Sequence, residues 1–97
     1  MKLNTQTAIL DLSGKEIPYQ DGIFTVGIAL SNILSEAKEG GKMKLFILAQ
    51  KLFTEKSIEI DTADLQIIKG AVEATAQYNN IITGQLLVFL DTIKEDK

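Results

Sequence analysis

From Thr25 onward, apolar side chains recur every three or four residues in four successive stretches, separated by short polar or glycine-containing breaks. That period marks helices with one buried face, and it constrains the fold more than any other feature of the chain. The first stretch carries Val26, Ala29, Leu30, Ile33, Leu34 and Ala37, with Thr25 placed to cap it. It is expected over 25–38, ending at "KEGGK", where Gly40 and Gly41 supply a C-cap and a link. The second, expected over 42–54, puts Leu45, Leu48, Ala49 and Leu52 on one side; Phe46 and Phe53, seven apart, are read as widening that face. The third, over 62–77, has the clearest start. Asp61 as N-cap and Asp64 three residues later come close to a capping box and complement the helix dipole. Leu65, Ile68, Val72 and Thr75 follow, with Ile67, Ala71 and Ala74 alongside. After "AQYNN", Asn79 or Asn80 can cap a fourth helix over 80–94.

Ahead of Thr25 the pattern differs. In "TAILDLSGKEI", Ser13-Gly14 is a turn signal with Ile9 and Ile17 on either side, which predicts a β-hairpin over 3–18. Asp21-Gly22 marks a second turn, and "SIEI" after the second helix predicts a short strand beside the hairpin. The expected fold class is α+β, mostly helical: a short N-terminal β-hairpin followed by a four-helix packed domain, one domain over 1–97. A chain of 97 residues can bury a modest core without disulfides or metal.

The fourth helix has more apolar surface than one face needs, since Leu86 to Leu90 are apolar without a break. Ile82, Leu86, Phe89 and Ile93 form one stripe, Ile81 and Val88 a second, Leu87 and Leu90 a third. Such a helix is either central in its bundle or partly covered by another chain. Both readings stand here: the helix is the candidate for the central packing position, and Leu87, Val88 and Leu90 are the candidate interface residues. Gly70 and Gly84 cost helix stability and are read as points where the third and fourth helices approach closely.

Composition limits the chemistry. The chain has no His, Cys, Trp or Arg. It therefore lacks the usual general base at neutral pH, a thiol nucleophile, the ordinary zinc and copper ligands, and a bidentate fork for phosphate or guanine. Net charge is −3 with scattered lysines, so no nucleic-acid partner is expected. No apolar run approaches the roughly 20 residues that span a bilayer, and no secretory h-region follows the start; a cytoplasmic location without membrane contact is expected. "FTEKSIEIDTAD" fails as a calcium loop: with Ile60 at its apolar eighth position, Phe53 occupies the first ligand place and Ile58 the glycine. Asp11, Glu16, Asp21, Glu59, Asp61 and Asp64 each have a turn, cap or solvated-face explanation. Tyr19, Tyr78 and the four Phe residues can stack a base, but core packing is the commoner use. No catalytic, cofactor-binding or metal residue is assigned, and no enzyme activity is expected.

In order along the chain, "ILDLSGKEI", "FTVGIALSNIL", "LFILAQKL", "IEIDTADLQIIKGAV" and "YNNIITGQLLVFL" resemble a group of small tailed-bacteriophage and prophage proteins. That group opens on a "LDLDGKPI"-like segment, continues through "LTLGDVL", a lysine-rich helix and "VELSAEEIALIK", and closes near "PPLVVGQAWELL". The resemblance covers almost the whole chain and consists of turns, caps and apolar spacing. Asn79-Asn80 departs from it, standing where the group has prolines; so does Phe89, which replaces a more polar neighbourhood. It implies a phage-type origin, carries no assigned activity and transfers no site residue. The expected function is thus a non-enzymatic phage or prophage accessory acting through protein contacts. Its expected partner is a second copy of itself or another phage or host protein. The alternative is a counter-defence inhibitor that binds a host effector or a signalling nucleotide.

Overall fold

The computed structural model describes residues 1–37 and 41–93. In chain order the elements are β1 (Lys2–Asn4), β2 (Pro18–Tyr19), β3 (Gly22–Ile23), α1 (Val26–Glu36), α2 (Lys42–Thr54), β4 (Ser57–Glu59), α3 (Thr62–Ala74) and α4 (Asn80–Asp91). The class is α+β and mostly helical. The helix starts follow their caps. Thr25 Oγ1 accepts from the Ile28 N–H, Asp61 and Asp64 form a reciprocal capping box, and the Asn79 side chain accepts from the N–H groups of Ile81 and Ile82. The helix ends are less regular. α1 stops at Glu36 with Ala37 as its cap, so the expected glycine cap at Gly40 lies outside the described residues, and Gly41 (φ 80°) instead precedes α2. α3 ends at Ala74, before the expected Gln77, and the expected limit of α4 at Lys94 is outside the described residues.

The N-terminal hairpin is built differently from the expectation over 3–18. The turn forms: the Asp11 carboxylate accepts from the Ser13 N–H (2.9 Å), the Ser13 hydroxyl (2.6 Å) and the Lys15 N–H (3.0 Å), and Gly14 takes φ 86°. Only one bridge, Leu10 to Glu16, joins the two arms. The residues before it leave the ribbon, and β1 pairs antiparallel with β4, setting Leu3 against Ile58. The physical reason is burial. "KLN" and "SIE" each hold one apolar side chain between exposed neighbours, and pairing them sends both into the core. A lone two-stranded ribbon offers no such cover. The two-residue strands β2 and β3 form a second small hairpin around Gln20-Asp21, with Gln20 at φ 51°.

α1, not α4, is the central helix. Val26, Gly27, Ala29, Leu30, Ser31, Ile33 and Leu34 are all buried, which is most of its circumference. It packs on α2 and on α3, while α4 packs chiefly on α3. Small residues explain this placement. Gly27 lies where α1 meets both Thr5 and the carbonyl of Leu52: a Cβ there would sit 2.5 Å from that oxygen and 2.7 Å from Thr5 Cβ. Its N–H donates to the Thr5 carbonyl (3.0 Å), and the buried Thr5 hydroxyl donates to the Glu55 carbonyl, so one glycine allows strand end, α1 and the end of α2 to converge. Gly70 and Gly84 play no such part, because nothing would lie within 4 Å of a Cβ at either.

Candidate interaction surface

The three interface residues expected on α4 separate. Leu90 is 0% exposed and, with Leu86 one turn earlier, is part of the core. Leu87 is half-buried against that core, and only Val88, 67% exposed, faces outward. The cause is the way α4 is tethered. The Gln85 side-chain amide accepts from the Leu10 N–H and donates to the Leu10 carbonyl, imitating one rung of a β-ladder. That pair orients α4 against the N-terminal segment with Leu90 inward, while the ion pair from Lys69 of α3 to the exposed Asp91 of α4 (2.9 Å) adds little. Val88, Phe89 and Gly84 border a shallow cleft of about 510 Å³ against Thr7–Ile9.

The larger apolar surface is on α2, where Phe46 and Phe53 do not widen the buried face. Leu45, Leu48 and Leu52 point into the core, and Met43 (78% exposed), Phe46 (64%), Ile47 (42%) and Phe53 (63%) lie on the opposite side. At about 100° per residue these four, with Gln50 among them, fall within an arc of about 120°. With roughly 200 Å² per fully exposed side chain of this size, they present about 500 Å², at the upper end of the largest patch of an ordinary monomer. Lys44 and Lys51 flank the stripe on one side and Lys42 on the other, and α2 contains no acidic residue. The sequence signal for this face was present: α2 has apolar residues on two opposite faces, more than a single core can take.

A groove of about 910 Å³ lies between α1 and α3, bordered by Ile33 and Glu36 on one side and by Ile67, Gly70, Ala71 and Ala74 on the other. Its floor is apolar and its α3 wall consists of small side chains. Gln77 also lines it, its amide donating to the Asn32 carbonyl (3.0 Å).

Asp11, Asp64, Tyr19 and Tyr78 are committed to structure. Hydrogen bonds from the Ser13 hydroxyl and then the Lys15 N–H hold the Asp11 carboxyl below its ordinary value. Burial pushes Asp64 up, but the bond from Lys44 Nζ (2.8 Å) and the Asp61 N–H outweigh it and hold the carboxyl low; the same contact raises Lys44. Tyr19 and Tyr78 pack on the buried Phe24 ring at 5.3 and 5.6 Å, and Tyr78 Oη accepts from Asn32 (3.0 Å), so neither tyrosine forms an open stacking platform. Among the described residues no three carboxylates gather as metal ligands would, and no helix is long and apolar enough to cross a membrane. No protein-family model, curated protein or solved structure matches this chain.

Proposed function

We propose that this chain is a non-enzymatic phage or prophage accessory protein of the host cytoplasm, self-associating and acting through contacts made by α2. The observation that carries the reading is the stripe of Met43, Phe46, Ile47 and Phe53, about 500 Å² of apolar side chain on the outer face of a helix. Keeping such side chains in water costs solubility, and covering them supplies the hydrophobic driving force of an interface. The phage assignment is supported by the order of motifs from "ILDLSGKEI" to "YNNIITGQLLVFL". The non-enzymatic assignment is supported by a side-chain repertoire without His, Cys or Arg.

Sedimentation velocity across micromolar to near-millimolar concentration tests it. The wild-type mass should rise above the 10.6 kDa of one chain as concentration increases, while Phe46→Asp stays at one chain with an unchanged circular dichroism spectrum. A wild type that remains monomeric throughout overturns self-association. Uptake of that monomer onto phosphatidylglycerol vesicles, lost in Phe46→Asp, would assign the stripe to a lipid surface instead.

A further inference from the structure

Building on self-association through α2, we infer that the stripe of one copy docks into the α1–α3 groove of the next, so that copies join head to tail. The two surfaces differ in shape and in charge. The stripe is a ridge of large side chains, Met43, Phe46, Ile47 and Phe53. The groove is walled by Gly70, Ala71 and Ala74 over Ile33 and Ile67, where small residues let a helix come close. Among the described residues none belongs to both ridge and groove, so one copy carries the two as separate surfaces.

Charge favours this partner over a face-to-face pair of α2 helices. α2 has three lysines and no acid, so the rest of the chain carries −6 of the net −3 charge. Lys42 and Lys51 make no salt bridge among the described residues. A symmetric α2–α2 contact would press lysines against lysines. Among the described residues that line it, the groove instead offers Glu36 on its rim and no cation; on α3, Glu73 is exposed and Lys69 is paired with Asp91. Area agrees. About 500 Å² from the ridge and a matching area from the groove total about 1,000 Å², the lower limit for a specific interface, which gives a weak, reversible contact. A contact between two different patches propagates, closing into a ring or extending as a filament.

Two variants test the inference, each altering one exposed surface: Phe46→Asp on the ridge, and the double change Glu36→Lys with Ala74→Lys in the groove. Each alone should be monomeric in sedimentation, with a wild-type melting curve. Their equimolar mixture should form a 1:1 dimer that grows no further, because one intact ridge meets one intact groove. Wild-type association should weaken as salt rises. A groove variant that associates like wild type, or strengthening of wild type by salt, overturns docking into the groove while leaving self-association through α2 standing. A monomeric wild type overturns self-association itself.

Discussion

Gly27→Ala, set beside Gly70→Ala and Gly84→Ala, is the sharpest test of the packing described above. All three glycines are in helices, where alanine is favoured by about 1 kcal/mol. At Gly70 and Gly84 that preference acts alone, since no atom lies within 4 Å of the added Cβ. Each of these two substitutions should stabilise by about 0.5–1 kcal/mol. At Gly27 the methyl would stand 2.5 Å from the Leu52 carbonyl oxygen, 2.7 Å from Thr5 Cβ and 3.0 Å from the Thr5 carbonyl oxygen, against the roughly 3.5–4.0 Å of ordinary carbon contacts. Two of those three atoms are backbone, so relief requires β1 or the end of α2 to move outward. That movement loosens the Gly27 N–H bond to Thr5 and strains the Thr5 bond to Glu55. Overpacking of about 1–3 kcal/mol and a hydrogen-bond loss of about 1 kcal/mol outweigh the helix gain, leaving a net destabilisation of about 1–3 kcal/mol. With a urea slope of about 1–2 kcal/mol per molar, the midpoint should fall by about 1 M for Gly27→Ala and rise by about 0.5 M for the other two, slopes unchanged. Urea titration followed by circular dichroism reads all three. A Gly27→Ala midpoint at or above wild type refutes the convergence of α1, β1 and α2 on this residue, and a loss in Gly84→Ala would restore a tight α3–α4 contact.

Gln85→Leu should cost about 1–2 kcal/mol and speed hydrogen exchange at Leu10 and through the Asp11–Glu16 turn, with α1 still protected; unchanged exchange there would mean that the amide pair does not hold α4 to the N-terminal segment. Leu90→Ala should cost about 2–5 kcal/mol and Val88→Ala within about 0.5 kcal/mol in thermal melts, and the reverse order would turn α4 the other way round. The folded-state pKa of Asp64 lies below the ordinary value, so its stabilisation is present above that value and is lost as pH falls through the lowered one. Asp64→Asn should therefore reduce neutral stability by about 1 kcal/mol and flatten the acid limb of the stability curve; parallel curves from neutral to about pH 3 would count against the cap and its Lys44 partner.

Local features were the legible part of this chain. Thr25, Asp61 with Asp64, and Asn79 cap the helices they were expected to cap, because a cap depends on a side chain and the next few N–H groups. The buried stripe of α2 was equally readable from Leu45, Leu48 and Leu52, as was that of α3 from Leu65, Ile68 and Val72. The candidate surface is less legible. Val88 is exposed as expected, but Leu90 is in the core, and the wider apolar face is on α2 rather than α4. Counting apolar residues shows that a helix has a surplus without showing which side the rest of the fold covers.

By itself, then, the sequence determines the mostly helical class, the capped starts of α1, α3 and α4, and the inward stripes of α1, α2 and α3, features carried by caps and by periodicity along each helix. Tertiary structure alone decided that β1 would leave the Ser13-Gly14 ribbon for β4. It also decided that Gly27 would lie where α1, the end of β1 and the end of α2 converge, and that α1 would be central. Each of these depends on which distant surface arrives: Ile58 opposite Leu3, the Leu52 carbonyl over Gly27, the Gln85 amide on Leu10. Burial is shared between partners far apart in the chain, so α2, apolar on two opposite faces, has one of them covered and keeps the other outward.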